Sequence, residues 1–219
     1  MVISRADESI TAQDDFEPIE SVDLVGGTLC FDFVNTASGR QRGPLRDRLE
    51  EYADLIVWGR RVGLVDDGRA ARLETEAARR RAEADRVLDL ARSLREAIYR
   101  IFSAVSAGIT PADDAVDVLN AALSESGRLR RLVVERTGWS WVWDEGEDPL
   151  SWPLHGIAES AGDLLIEGEP KRIKECGGEN CNWLFYDASR NRSRRWCDMK
   201  DCGNRAKQRR HRRRAGARR

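Results

Sequence analysis

Residues 176–205 read CGGENCNWLFYDASRNRSRRWCDMKDCGNR. Two Cys-x4-Cys pairs, Cys176/Cys181 and Cys197/Cys202, are separated by 15 residues. In a reducing compartment, two such pairs point to a shared metal ion before they point to disulfides. Four thiolates in a tetrahedron suit one structural Zn²⁺, bound with no open coordination position. Between the pairs, Trp183 to Asp187 (WLFYD) reads as an apolar strand, Ala188 to Asn191 as a turn, and Ser193 to Cys197 as a returning arm. The spacing therefore predicts a treble-clef-like four-cysteine finger: a knuckle, a β-hairpin, then a helix with Cys202 in its first turn and Asp201 as its cap. Trp183, Phe185 and Trp196 are nearly all the core such a module can assemble, so the metal must supply much of its stability.

The helix that follows has no face to bury. At about 100° per residue, Arg205, Lys207, Arg209, Arg210, Arg212, Arg213 and Arg214 spread around its whole circumference. A helix polar on every side has no core to join, and its like charges three and four residues apart repel. A phosphate backbone would neutralise them and release counterions. The charge of the chain separates in the same way. Residues 171–219 hold 17 Lys and Arg against 5 Asp and Glu, a net +12, and residues 1–170 hold 20 against 33, a net −13. An acidic body with a basic end is the asymmetry expected where that end meets a polyanion. The candidate nucleic-acid contacts are Ser189, Arg190, Asn191, Arg192, Arg194 and Arg195 on the hairpin, with Asn204, Arg205, Lys207, Arg209 and Arg210 on the helix. Guanidinium forks suit both phosphates and guanine edges. Charge and spacing leave duplex DNA and RNA both open as partners, because arginine-rich segments also fold on RNA; a non-catalytic, protein-binding finger is the further alternative.

Upstream, the reading is α+β: a mainly helical domain over 21–168 with a small β-hairpin, joined through Gly168-Glu169-Pro170 to the finger at 169–219. The length suits one domain plus a small module. Residues 1–20 are acidic and poor in large apolar groups, which predicts a disordered tail. This segment lacks the apolar core of a secretory signal, and no window approaches the ~20 apolar residues of a membrane span, so the chain reads as cytosolic. Leu29 to Val34 alternate in strand fashion after Gly26-Gly27, with Asn35 or Thr36 at the exit. Helices are expected at 47–63, over 66–107, from Thr110-Pro111 to near Gly127, and from Pro149 to Glu167. Residues 129–143 read as a hairpin around Thr137-Gly138, with Trp139, Trp141 and Trp143 on one face as core. Asp32, Asn35 and Trp141 are candidates for a small-molecule pocket. Cys30 and His155 make no nucleophile pair, no other catalytic constellation stands out, and no enzyme is expected.

The C-terminal residues resemble the CGNR zinc-finger family, named for the tetrapeptide Cys202-Gly203-Asn204-Arg205. The four cysteines, the F-x-D-x-S-R-N stretch (Phe185 to Asn191), R-R-W-C (Arg194 to Cys197) and the basic helix all match its pattern. The stretch LVGGTLCFDFVNT, Leu24 to Thr36, resembles the start of the ABATE domain that usually precedes this finger. The resemblance implies a bacterial, stress-linked transcription regulator, cytoplasmic and nucleoid-associated, that binds DNA through the finger. The larger domain would then sense a small-molecule effector, form a homodimer or contact another protein.

Overall fold

Residues Leu29–Val34 form a helix, α1, where the alternation predicts a strand. The structure, a computed structural model, describes residues 18–40, 45–144, 149–179 and 181–216. Thr28 caps α1 by accepting from the Phe31 N–H at 3.4 Å, and the Asp32 carboxylate reaches back to the Gly26 N–H at 2.8 Å. A Cβ on Gly26 would lie 2.7 Å from Phe31 Cβ, so only glycine lets the chain enter here. Cys30, Phe31, Phe33 and Val34 are all buried. A short helix buried on nearly every side gives the same apolar run as a strand, which is why periodicity misassigned it.

Around α1 pack the longer helices α2 (Tyr52–Arg61), α3 (Asp67–Arg79), α4 (Arg81–Ala107), α5 (Asp113–Leu129) and α6 (Trp152–Glu167). A capping box of Glu51 and Asp54 starts α2, and Asp66 caps α3. The single helix expected over 66–107 is two, broken at Arg80, whose ψ of 54° leaves the helical region. Gly108, in the left-handed region at φ 71°, ends α4. Helix α5 begins at Asp113 and not at Thr110-Pro111; Asp113 and Asp114 occupy its first turn, where the helix dipole favours acids. The inner face of α4 meets α1 through Phe102, edge-on to Phe31 at 4.9 Å, while Phe33 tilts against Trp58 at 5.2 Å.

Two strands of two residues, β1 (Ala37–Ser38) and β2 (Arg46–Asp47), pair antiparallel beside α4. They carry Asp47 to Arg95, which is buried in the middle of α4 and binds both Asp47 oxygens at 2.6 Å. Thr36 and Glu96 also accept from Arg95, each at 3.1 Å, and Arg40 closes on Glu96 at 2.7 Å. Of the expected tail 1–20, residues 1–17 lie outside the described residues. Ile19, by contrast, is buried, and Arg61 donates to the carbonyls of Ile19 and Val22 at 2.8 and 2.9 Å.

The hairpin forms as expected, β3 (Arg130–Glu135) against β4 (Gly138–Trp143), with Glu135 opposite Gly138 at its tip. Its tryptophans do not all enter the core. Trp143 meets Trp152 edge-on at 6.0 Å and donates to Ser126 at 2.9 Å, but Trp139 and Trp141 are exposed. Period two puts the three on one face; it cannot say whether anything covers that face.

Beyond Pro170, β5 (Ile173–Glu175) and β6 (Leu184–Tyr186) pair antiparallel, and Ile173 and Leu184 join the same core as the helices. Asn35, fully buried at the end of α1, offers its amide like a neighbouring strand. Its Nδ2 donates to the Leu184 carbonyl and its Oδ1 accepts from the Leu184 N–H, both at 2.9 Å. Tyr186 N–H donates to the Gly26 carbonyl at 2.8 Å, and Glu175 accepts from Tyr99 and Ser103 of α4. Among the described residues no helix is long and apolar enough to cross a membrane.

Candidate zinc centre and nucleic-acid interface

Cys176 follows β5 and Cys181 precedes β6, so the first cysteine pair forms the loop of this small sheet. The Cys176 N–H continues the ladder to the Trp183 carbonyl at 2.8 Å. The loop is tight: a Cβ on Gly178 would lie 3.0 Å from Cys202 Sγ and 3.3 Å from Cys176 Sγ. Of the second pair, Cys197 precedes a wide turn, Met199–Gly203, and Cys202 lies within it; the turn runs directly into α7 (Asn204–Gly216). Asp198, not Asp201, caps this turn, accepting from the N–H groups of Lys200 and Asp201. Residues 193–197 form no strand; the return from β6 to Cys197 is a loop.

That loop is organised by a residue the sequence reading passed over. Asp187, fully buried at the end of β6, accepts from Lys174 Nζ at 2.6 Å, Ser189 Oγ at 2.5 Å, Ser189 N–H at 3.0 Å and Arg194 N–H at 2.9 Å. Burial alone would raise its pKa. Lys174 and Ser189 outweigh that and hold the carboxyl well below the usual range. The Asp-x-Ser spacing after an apolar strand is the signal that could have revealed it, since such a carboxylate folds back on its own turn.

The four sulfurs converge. All lie within 4.8 Å of one another, with Cys181 and Cys197 at 3.6 Å and Cys197 and Cys202 at 3.7 Å. Zinc–sulfur bonds of about 2.3 Å in a tetrahedron require edges of about 3.8 Å, so the set fits one Zn²⁺. No pair is bonded as a disulfide. The thiols also polarise one another: contact with Cys181 pulls Cys176 far below the ordinary thiol range, and contact with Cys176 pushes Cys181 and Cys197 far above it. Four such groups ionise together only around a cation. The N–H groups of Cys197 and Gly178 point at Cys176 Sγ at 3.3 and 3.4 Å, and Arg205 reaches Cys202 Sγ at 3.3 Å; these donors steady thiolate charge.

Comparison with known families matches two stretches of the chain. Residues 27–168 match the ABATE family, whose description is "Putative stress-induced transcription regulator", and residues 172–215 match the CGNR zinc finger. The chain belongs to the ABATE family. No curated protein matches it. Both matches are to regulatory or zinc-finger families rather than to enzyme families.

Within the CGNR finger the eleven residues singled out from sequence divide into two groups. Six are engaged by the fold. Ser189 binds Asp187; Arg192 pairs with Glu169 at 2.6 Å; Arg209 pairs with Glu179 at 3.2 Å. Arg194 lies over the Phe185 ring and donates to the carbonyls of Trp196, Cys197 and Val25, joining the finger to the entry of the ABATE region. Asn204 donates to the Lys200 carbonyl at 2.8 Å, and Arg205 pairs with Asp201 at 2.5 Å beside the zinc ligands. The other five, Arg190, Asn191, Arg195, Lys207 and Arg210, are exposed, and among the described residues none of their cations forms an ion pair.

The three pocket candidates of the ABATE region serve separate places. Asp32 binds Gly26, and burial raises its pKa. Asn35 binds Leu184, and Trp141 lies exposed under the Arg130 guanidinium, 4.4 Å from the ring centroid.

Proposed function

We propose that this protein is a zinc-dependent DNA-binding transcription regulator of the bacterial cytoplasm. One observation carries the reading. Helix α7 starts on the zinc-built turn, presents Lys207, Arg210, Arg212, Arg213 and Arg214 to solvent, and has no apolar stripe of its own. Cations on a zinc-anchored helix that form no ion pair among the described residues are what a phosphate backbone recruits, and docking relieves their mutual repulsion. Arg190, Asn191 and Arg195 offer a second set of contacts on the loop after β6. The ABATE region supplies the regulatory input, as an effector-sensing or dimer-forming unit.

Fluorescence anisotropy with duplex DNA and with structured RNA, across a salt series, tests this. Each phosphate contact adds about 0.9 to the slope of log affinity against log salt. Lys207→Ala with Arg210→Ala should therefore flatten the slope by about 2, with zinc content unchanged. An unaltered slope removes the helix from the interface, and a preference for RNA at fixed salt replaces DNA as the partner.

A further inference from the structure

The β3–β4 hairpin is an unfinished element. Its base is fixed by Trp143 against Trp152 and Ser126, and by Arg130, which pairs with Glu159 at 2.9 Å. Its distal half stands in solvent. The register sets Leu132 opposite Trp141 and Val134 opposite Trp139, so these four side chains share one face. They are 50, 54, 69 and 70 % exposed, respectively. A two-stranded hairpin is marginal in water unless its apolar face is covered. Here two tryptophans, which each carry about 150–250 Å² of surface, are left largely bare.

We infer that this face is the protein's dimerisation surface, packed on the same face of a second copy about a twofold axis. The area suffices. The four side chains expose on the order of 500 Å² of apolar surface. A twofold contact would bury about 1,000 Å² in total, the lower bound for a specific interface, before any polar rim is added. The charge distribution selects the occupant. A nucleic acid stacking on Trp139 and Trp141 would need free cations beside them. Arg130 is committed to Glu159 and lies over Trp141, Arg131 pairs with Asp144 at 2.5 Å, and Ser140 donates to Glu135 at 2.6 Å. Among the described residues of the hairpin only Arg136 at the tip is a cation without an ion pair. The exposed face is thus apolar and nearly neutral, and a copy of itself is complementary to it.

The inference deepens the dimer-forming reading of the ABATE region and is tested without DNA, so its failure is separate from failure of the DNA-binding reading. Sedimentation equilibrium of the zinc-loaded full chain should show a concentration-dependent monomer–dimer equilibrium. Trp139→Ser with Trp141→Ser should weaken it at least about tenfold, since exposed tryptophans are the residues most often dominant at interfaces. Zinc content and thermal midpoint serve as folding controls, because both side chains lie outside the core. In wild type, hydrogen exchange at residues 131–142 should slow as protein concentration rises; Lys171→Ala, outside the hairpin, should leave both readouts alone. A wild type that stays monomeric at the highest concentration overturns the proposal. So does a dimer indifferent to the double substitution.

Discussion

Arg205 sits at the point where a family name and a physical role have to be told apart. Its guanidinium is shared between Asp201 and the sulfur of Cys202, so it steadies the metal site before it can offer anything to DNA. Outer-shell partners of metal ligands typically affect affinity by 10–100-fold. Arg205→Ala should weaken zinc binding by about that factor in chelator competition, while DNA affinity per zinc-loaded molecule changes less than for Lys207→Ala; the reverse ordering would return Arg205 to the interface. Arg95 is a second case. Burial alone would raise the pKa of Asp47, but the hydrogen bonds and charge of Arg95 outweigh it, with help from Arg92, and hold the carboxyl below its ordinary value. A depressed carboxylate stabilises the fold above its unfolded pKa of about 3.9, and that contribution disappears as pH falls through the folded value. Wild type should therefore be more stable than Asp47→Asn at pH 6, and the gap in urea midpoint should close below about pH 4. A gap that widens on acidification would contradict the sign. Arg95→Met, which strands Asp47, should cost about 3 kcal/mol at neutral pH.

At the scale of elements, sequence period was a good guide to faces and a poor one to environment. Helical spacing puts Leu49, Tyr52, Leu55, Ile56 and Val62 close to one face, and the first four are buried while Val62 is half-buried; along 66–107 Ala84, Val87, Ala91, Leu94, Ile98 and Ile101 are buried, and Ala77 and Val105 are half-buried. Helix α1 was misread because a six-residue run with one polar residue, Asp32, has no polar face to set its period. The finger's return arm was misread because an acidic residue, Asp187, holds as a loop what could have been a strand. Asn35 links two such elements, standing in for a strand partner along β6. Asn35→Ala would orphan the N–H and C=O of Leu184 in a dry environment. It should cost about 2–3 kcal/mol in urea denaturation, and Asn35→Asp, which keeps the acceptor but loses the donor, should recover only part of it. Equal stability of Asn35→Ala and wild type would mean that the amide pairing carries no weight.

Across the whole molecule the finger is continuous with the body: Ile173 and Leu184 enter the helical core, Glu175 binds α4, and Arg194 binds the carbonyl of Val25. Loss of zinc should accordingly be felt beyond the finger. Chelation should lower the thermal midpoint of the main transition and reduce amide protection in α1 and at the Tyr99–Ser103 turn of α4; a finger that unfolds while α1 keeps full protection would show the two parts to be uncoupled. Spacing alone determined the four-cysteine cluster, since two short cysteine pairs can close on a common ion in any fold that brings the pairs together. Charge alone determined that the last helix belongs to no core. The amino-acid sequence could not decide which cations remain free, because that depends on which acids and carbonyls the chain folds against them. Arg192, Arg194, Arg205 and Arg209 are claimed by the fold, and among the described residues Arg190, Arg195, Lys207 and Arg210 are left without an ion pair. Nor could it decide that two tryptophans on a strand face would meet solvent, because exposure is set by what packs opposite a face, and that is fixed only when the whole chain has found its place.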